Sequence, residues 1–387
     1  MWSRRDVLQA GVSAAGLLTV GSNSIGKTPA NDSLESLARA RGMHFGTALG
    51  GRGLADTGYT GLIAAQCGII VPENELKMPF VQRAPGEFQF DRADKLLEFA
   101  ESHSLLMRGH CLLWHHPRWV PRWLATYDFG SDPRKSAEDL LNTHIDKTTA
   151  HYGKRISSWD VVNEAVDNIT GEMRETELSK AMGSADAVIE AAFLSARTAL
   201  PDAELVYNDY MSWEKEDAPH RDGVLRLLER LRKKNIPVDA LGLQSHIGSG
   251  NTDGSATRHF DARDERAWRR FLTEVTGMGY SLLITEFDVH DAPLPADIPA
   301  RDKQVAALGR DYLDVTLDFR QVNAVLAWGL ADNHSWLQGR TPRADKLPKR
   351  PTPYDDHYQP KPLREAIAAA FRAAPRRHPK KPVGKPA

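Results

Sequence analysis

Eight apolar runs recur along the chain, and their rhythm constrains the fold more than any other feature. Each run is followed by polar residues and then by a segment with the apolar spacing of an amphipathic helix, so that the runs lie roughly 40 residues apart. The runs are MHFGTAL (43–49), CGIIV (67–71), SLLMRGH (104–110), ISSWDVV (156–162), ELVY (204–207), VDALGL (238–243), SLLIT (281–285) and AVLAW (324–328). Eight strands that alternate with helices predict an α/β fold of the (β/α)8 TIM barrel type. An open doubly wound sheet is the alternative.

Helical stripes separate the runs. Asp91 is the expected N-cap of one helix, while Gly153 and Pro201 are expected to end two others. The apolar positions that repeat with helical spacing are Ala93, Leu96, Leu97 and Ala100; Leu140, Leu141, His144, Ile145 and Thr148; Val188, Ala191, Ala192 and Ala199; Val224, Leu227, Leu228 and Leu231; Trp268, Phe271, Leu272 and Val275; and Val305, Leu308, Tyr312 and Val315. These faces are predicted to pack on the strands.

Polar residues follow the apolar runs, and their position favours the barrel. They are Glu73, Asn74, His110, Asn163, Glu164, Asn208, Asp209, Gln244, His246, Glu286 and Trp328. In a barrel the C-terminal strand ends converge on one face, where active sites lie, whereas in an open sheet most of these side chains would point to separate places.

Length, charge and cysteine content narrow the class of protein. The chain of 387 residues suits one barrel domain, which we place at 34–372. A net charge of −1 gives no reason to expect nucleic acid or an acidic membrane as a partner. Cys67 and Cys111 cannot build a disulfide framework or a cysteine-based zinc site. We expect two buried thiols near strands, with a single bridge as the alternative.

The two ends of the chain differ from the rest in composition. Arg4 and Arg5 precede an uncharged stretch rich in Ala, Gly and Leu that runs to Val20, and this pattern resembles a twin-arginine export signal. We therefore interpret 1–30 as an export signal and linker of a periplasmic or secreted protein, with a chance Arg-Arg pair as the alternative. At the other end, 373–387 is predicted to be a basic, Pro-rich disordered tail.

Two glutamates carry the chemistry that the chain can do. In WDVVNEA (159–165) and LLITEFDV (282–289), a stretch of β-branched and aliphatic residues ends in a glutamate, Glu164 in the first and Glu286 in the second. Glycoside hydrolysis needs one carboxylic acid that protonates the departing oxygen and one ionised carboxylate at the anomeric carbon. Burial and the second negative charge can raise the pKa of the acid, while His246 could hold Glu286 in place. The alternative for either glutamate is a buried salt bridge.

Seven motifs in order make the chain resemble glycoside hydrolase family 10, the endo-β-1,4-xylanases. They are ENELK (73–77), GHCLLWH (109–115), WDVVNEA (159–165), VYNDY (206–210), LGLQSHI (241–247), TEFDV (285–289) and WGLADNHSWL (328–337). The resemblance spans about residues 34 to 372. It implies endo-acting, retaining hydrolysis of β-1,4-xylosidic bonds, with Glu164 as acid/base, Glu286 as nucleophile and the carboxyl groups about 5–5.5 Å apart.

The resemblance also implies a set of sugar-binding residues. Expected on the non-reducing side are Asn74, Lys77, His110, Trp114, Asn163, Gln244, His246, Trp328 and Trp336. Tyr210 is expected to contact Glu164 or an aglycone sugar. Alternatives are a salt bridge of Lys77 with a neighbouring glutamate, and core packing for the tryptophans. The expected partner is xylan or a xylo-oligosaccharide, bound by a monomer with no cofactor, no metal, no nucleic acid and no membrane partner after export.

The chain departs from the family pattern at two places. The family usually has Trp-His, three residues, Pro, one residue and Trp, whereas this chain has WHHPRWVPRW (114–123), so either Trp119 or Trp123 could take the family role. Met78 stands where an aromatic residue often follows the lysine, which weakens the expectation of distal sugar binding.

Other functions remain as alternatives. His110, His115 and His116 could be taken for a metal cluster, but no carboxylate or cysteine completes an obvious set. The Gly-rich segment 50–53 lacks the spacing of a nucleotide site. A related barrel glycosidase acting on another β-1,4-glucan or a mannan, or an inactive glycan-binding barrel, would keep the same fold.

Overall fold

The computed structural model describes residues 33–248, 264–340 and 342–377. The strands are β1 (His44–Leu49), β2 (Ile69–Pro72), β3 (Gln82–Ala84), β4 (Glu87–Phe88), β5 (Leu106–Trp114), β6 (Ile156–Asn163), β7 (Glu204–Asp209), β8 (Ala240–Leu243), β9 (His246–Ile247), β10 (Ser281–Val289) and β11 (Val322–Ala327). The α-helices are α1 (Leu34–Arg39), α2 (Gly51–Leu54), α3 (Thr57–Gln66), α4 (Met78–Val81), α5 (Asp91–Ser102), α6 (Pro133–Tyr152), α7 (Glu177–Met182), α8 (Ala185–Ala199), α9 (Ala218–Lys233), α10 (Glu265–Gly277), α11 (Ile298–Leu317) and α12 (Pro362–Ala373).

Eight of these strands form a closed parallel ring. Their order is β1, β2, β5, β6, β7, β8, β10 and β11, and β11 pairs with β1 to complete the circle. The short β9 adds to the edge of β10, and β3 and β4 form a small antiparallel hairpin outside the ring. Each predicted run contributes one ring strand. The (β/α)8 prediction is therefore confirmed, and the open sheet is excluded.

The helices follow the predicted stripes, except that Ala199 at the end of α8 is exposed and that one N-cap differs from the prediction. The Asp132 side chain accepts a hydrogen bond from the Lys135 amide at the start of α6, and the helix ends at Gly153, whose φ is 55°. Asp91 was expected as an N-cap, but the N-cap of α5 is Phe90, which has no side-chain capping bond. Asp91 is the first helical residue, where its carboxylate faces the positive end of the helix dipole.

Two apolar layers fill the domain. Phe45 belongs to the larger cluster between ring and helices, and its ring lies 5.9 Å from that of Phe371 on α12. The alternate side chains of the strands point toward the barrel axis. They form a smaller cluster inside the ring, which includes Ala48 and Trp328. Trp328 therefore lies where the inner core meets the C-terminal end of the barrel.

The predicted start of the C-terminal tail is wrong. The predicted tail begins at 373, but Arg377 is buried and donates to the carbonyls of Leu317 and Val322 at 2.8 and 3.1 Å. The packed domain thus extends at least to Arg377. The predicted export signal and the rest of the tail lie outside the described residues and stay predictions.

Cys67 and Cys111 are buried free thiols, as expected.

Within the described ranges, none of the helices combines the length and the apolar character that a membrane span requires.

Candidate active site

The C-terminal ends of the ring strands open into a cleft of about 690 Å³. All of the residues predicted for the site line this one cleft: Asn74, Lys77, His110, Trp114, Asn163, Glu164, Tyr210, Gln244, His246, Glu286, Trp328 and Trp336. They come from loops and strand ends that are up to 262 residues apart in the chain, from Asn74 to Trp336. The barrel is what brings them together.

Glu164 follows the last residue of β6 and is held by three donors. Trp114 Nε1 donates to Oε2 at 2.9 Å, and Gln244 Nε2 donates to Oε1 at 2.9 Å. The amide of the neighbouring Asn163 adds a longer bond of 3.3 Å to Oε1. The backbone of Glu164 turns at this point, because its φ is 55°, a left-handed value that is uncommon for a residue other than glycine.

The surroundings of Glu164 favour its protonated form. Burial raises the pKa of Glu164 above the ordinary range of a glutamate, because the ionised form loses its hydration. The negative charges of Asp209 and Glu286 raise this pKa further, while the hydrogen bond from Gln244 opposes the rise. A glutamate whose protonated form is favoured in this way is suited to donate a proton.

The surroundings of Glu286 favour its ionised form. Asn208 Nδ2 donates to Oε1 at 2.8 Å, and His246 Nε2 lies 3.2 Å from Oε2. Burial by itself raises the pKa of Glu286, but the hydrogen bond from His246 and the positive charges of His110, His246 and Lys77 outweigh it, so that the pKa is lowered.

His246 supplies a positive charge beside Glu286. Its Nδ1 lies 2.9 Å from Oδ1 of Asp288, which follows Glu286 by two residues on β10. Burial opposes the cation, yet Asp288 and Glu286 together raise the pKa of His246 to about 10. Both ring nitrogens then donate, which fixes the orientation of Glu286.

A shared amide network connects the two carboxyls. Asn163 and Asn208 lie directly opposite each other on β6 and β7. The Oδ1 of Asn163 accepts from Asn208 Nδ2 at 2.9 Å and from Gln244 Nε2 at 3.3 Å. Since Asn208 also bonds Glu286 and Gln244 also bonds Glu164, the positions of the two carboxyls depend on each other.

His110 is oriented from behind by a buried ion pair. Its Nδ1 lies 2.9 Å from Oδ2 of Asp160, whose Oδ1 accepts from Arg108 at 2.7 Å. His115 points elsewhere, with its Nε2 3.0 Å from the carbonyl oxygen of Arg174. In the part of the chain that the structure describes, no three His, Cys, Asp or Glu side chains are arranged to hold a metal ion.

Lys77 faces the cleft beside two indole rings. Its Nζ donates to Oδ1 of Asn74 at 3.1 Å and lies 4.5 Å from the ring centroid of Trp114 and 5.9 Å from that of Trp328. The salt bridge to Glu73 or Glu75, which was the alternative, is not formed between these described residues. Lys77 therefore presents a cation to the cleft together with flat apolar surface.

Trp336 and Tyr210 are tied to polar neighbours. Trp336 Nε1 donates to Oδ2 of Asp288 at 2.7 Å, so the same aspartate holds both Trp336 and His246. The Tyr210 hydroxyl donates to Asn168 at 3.1 Å and accepts from Arg174 at 2.7 Å. The expected contact of Tyr210 with Glu164 or with a sugar stays a prediction.

The loop after β5 separates the two candidate tryptophans. Trp123 Nε1 donates to the carbonyl oxygen of Gln82 at 3.1 Å, and its ring packs on Tyr127 away from the cleft. Trp119 lines the cleft, is 38% exposed and stacks on Trp114 with 5.0 Å between ring centroids and 20° between planes. Trp119, which follows the shorter count to Pro117, is thus the tryptophan that reaches the cleft, whereas Trp123, which follows the longer count to Pro121, does not line it.

Several residues of the cleft were missed by sequence reasoning. Met78 is buried in the core, but Phe80, two residues further on, is 39% exposed and lines the cleft. Ile169, Arg118, Arg122, Arg174 and Arg340 line it as well. Asp288 had a usable signal, since residues two apart on a strand share a face with Glu286. The loop residues had none, because their positions depend on the path of the loop.

Comparison with known proteins gives a consistent result. A family model described as Glycosyl hydrolase family 10 matches residues 33–370. The chain is 30% identical over 340 residues to "Endo-1,4-beta-xylanase B" of Thermotoga neapolitana, covering 86% of this chain and 90% of that protein. It is 27% identical to "Endo-1,4-beta-xylanase 5" of Pyricularia oryzae, over 94% and 86% of the two chains.

Solved structures resemble the chain over a similar extent. Native xylanase 10B from Thermotoga maritima superposes with a TM-score of 0.75 at 29% identity, covering 88% of this chain and 98% of that one. Xylanase 10B from Thermotoga petrophila in complex with xylobiose gives the same TM-score and identity over 88% and 97%.

Proposed function

The chain belongs to glycosyl hydrolase family 10, and from this membership we propose that it hydrolyses internal β-1,4-xylosidic bonds of xylan by a retaining mechanism. It is a xylanase of the endo-1,4-β type, as are the relatives named above. The finer part of the proposal assigns Glu164 as acid/base and Glu286 as nucleophile. The observation that carries it is the opposite pKa shift of two carboxyls in one cleft, raised for Glu164 and lowered for Glu286.

The proposed reaction has two steps. In the first, the ionised carboxylate of Glu286 attacks the anomeric carbon and forms a glycosyl ester, while Glu164 gives its proton to the oxygen that leaves with the reducing-end fragment. In the second, water attacks the same carbon and releases Glu286, and Glu164 takes the proton of that water. Both carboxyls regain their starting states, and the anomeric configuration is retained.

The rest of the cleft supports this assignment through binding and orientation. Asn208 and His246 donate to Glu286, which stabilises its ionised form and fixes its orientation. Trp328 and Trp336 offer apolar faces to the C–H groups of a sugar ring, and Lys77 offers a strong donor to hydroxyls. The relative from Thermotoga petrophila was solved with xylobiose, which supports a xylose chain as occupant of the corresponding cleft.

The catalytic roles are tested by two variants with a surface control. Glu164→Ala should lose xylan hydrolysis yet still be glycosylated by an activated aryl xyloside, because a good leaving group needs no proton. Equal loss on both substrates would refute the acid/base role. Glu98→Ala, an exposed glutamate on α5, is the control that should behave as wild type.

The nucleophile is tested by labelling. A 2-fluoro xylobioside with an activated leaving group should trap an ester on Glu286, to be located by peptide mass spectrometry. A label on another carboxylate, with Glu286 unmodified, would remove the assignment. Hydrolysis rates on xylan, carboxymethylcellulose and mannan test the substrate class, and products of two or three xylose units indicate endo cleavage.

A further inference from the structure

The loop after β5 carries two cations at the edge of the cleft that the proposed reaction does not use. We call residues 116–122 the rim loop. Arg118 and Arg122 both belong to it, both line the cleft, and both side chains are exposed. Neither guanidinium has an ion pair or hydrogen bond with any residue that the structure describes. Their charges are therefore available to a ligand.

Other cations of the cleft are already engaged, which sets this pair apart. Arg174 is paired with Asp167 at 3.2 Å and donates to Tyr210. Arg340 lies over the ring of Trp336 at 4.9 Å. Lys77 is bound to Asn74. The rim loop thus concentrates positive charge that has no acidic partner among the described residues of the cleft.

The rim loop also provides a flat surface for a sugar. Trp119 lies between the two arginines in the chain, and its exposed ring stacks on Trp114. Trp114 in turn donates to Oε2 of Glu164 at 2.9 Å. Trp114 thus contacts both Trp119 and the proposed acid/base Glu164.

His116, which also belongs to the rim loop, has a lowered pKa whose main cause is burial. Burial, together with the charges of Arg174 and Arg118, lowers the pKa of His116 to about 4. The imidazole is therefore neutral near pH 7, and it adds no further positive charge to the rim loop. An anionic group placed between Arg118 and Arg122 would meet two cations and no opposing carboxylate of the rim loop.

We propose that the rim loop is a subsite for a xylose that carries a uronic acid side chain, with Trp119 under the sugar and Arg118 and Arg122 on the carboxylate. This inference rests on the proposed xylanase function and deepens it. A neutral xylan backbone offers only hydroxyls, whereas the planar guanidinium matches a carboxylate with two parallel hydrogen bonds. Acidic xylan, rather than linear xylan, is then the better substrate.

The test compares two substrates that differ only in charge. One is a xylotetraose with a single glucuronic acid on an internal xylose, and the other is its methyl ester. For the wild type at low salt, kcat/KM should be about fivefold higher for the acid, as for one favourable exposed ion pair. The double variant Arg118→Gln/Arg122→Gln should bring this ratio close to one. Added salt should lower the ratio for the wild type.

The matched control is Arg92→Gln, which removes an exposed arginine on α5 away from the cleft and should keep the wild-type ratio. A wild-type ratio of one or below, or an unchanged ratio in the double variant, would overturn the proposal. Trigalacturonate offers carboxylates without a xylan backbone, and inhibition by it as strong as by the acidic xylo-oligosaccharide would overturn the assignment to decorated xylan. Failure of the wild type to cleave linear xylotetraose would instead overturn the proposed function itself, so the two failures are distinguishable.

Discussion

Asn208 donates a hydrogen bond of 2.8 Å to Oε1 of Glu286, although the two residues lie on strands that are not neighbours in the ring. Asn208 is fully buried and does not line the cleft. Its own carbonyl oxygen accepts from Thr285 Oγ1 at 2.7 Å, which fixes the direction of the amide. The asparagine thus positions a carboxylate from behind, without touching substrate.

The first prediction concerns this asparagine. Asn208→Ala should lower kcat/KM for an aryl xyloside by about 10- to 100-fold, because a hydrogen bond to an ionised group is lost at the proposed nucleophile Glu286. The rate of labelling by the 2-fluoro xylobioside should fall in parallel. Thr285→Val preserves shape and leaves the Asn208–Glu286 bond in place, so its effect should be smaller. Equal effects of the two variants would contradict the positioning role.

The second prediction concerns the alkaline limb of the pH–rate profile. Gln244 donates to Glu164 and thereby opposes the rise of its pKa. In Gln244→Leu the pKa of Glu164 should rise further, so that activity persists to higher pH although kcat is lower. The measurement is kcat/KM for xylotetraose against pH. An alkaline limb that stays in place or moves to lower pH would refute the prediction.

The third prediction is that removing the negative charge of Asp209 changes the pKa of Glu164 in the opposite direction. The negative charge of Asp209 raises the pKa of Glu164, because it disfavours a second negative charge nearby. Asp209→Asn should therefore lower this pKa and move the alkaline limb to lower pH. A shift in the same direction as Gln244→Leu would show that the limb does not report Glu164.

The fourth prediction concerns stability. The pKa of His246 is raised to about 10 in the folded protein, against about 6.5 for an unperturbed histidine. Protonated His246 therefore stabilises the fold fully below about pH 6.5, and this contribution is lost as pH rises toward 10. The free energy of unfolding in urea should fall across this window more steeply for the wild type than for His246→Gln. The exposed His357 is the control, and His357→Gln should keep the wild-type profile.

The fifth prediction concerns the packing behind His110. A Cβ on Gly109 would stand 2.0 Å from the ring of the buried Trp159. Gly109→Ala should therefore cost about 1–3 kcal/mol of folding free energy through overpacking, and it should also lower activity because His110 is adjacent. Gly277→Ala, at the end of α10 with open space around it, should leave thermal stability unchanged or slightly higher. Equal melting temperatures for both variants would contradict the packing argument.

The barrel and its cleft-lining residues were accessible from sequence for a physical reason. Strand and helix periods are local, and a polar residue that directly follows an apolar run identifies a strand end before any tertiary contact is known. Glu164, Gln244 and Glu286 are all found by this rule. The expected contact of His246 with Glu286 is also confirmed, at 3.2 Å.

What escaped prediction depends on contacts between distant segments. The placement of Trp119 on the cleft follows from the course of the rim loop, which no local pattern specifies. The basic, Pro-rich composition after residue 373 predicted a solvated tail, yet Arg377 donates to the carbonyl of Leu317, the last residue of α11, and to that of Phe319 just beyond the helix. Composition alone could not reveal that such acceptors lie within reach.

The left-handed backbone of Glu164 has a consequence for evolution as well as for chemistry. A glutamate at φ 55°, with its carboxyl buried next to other acids, is an unfavourable choice for folding, and such conformations cost about 1–3 kcal/mol. Given the acid/base role proposed for Glu164, glycine at this position should relieve both the steric and the electrostatic cost and yield a more stable but inactive protein. Under the proposed mechanism, catalysis and thermal stability therefore compete at this one position.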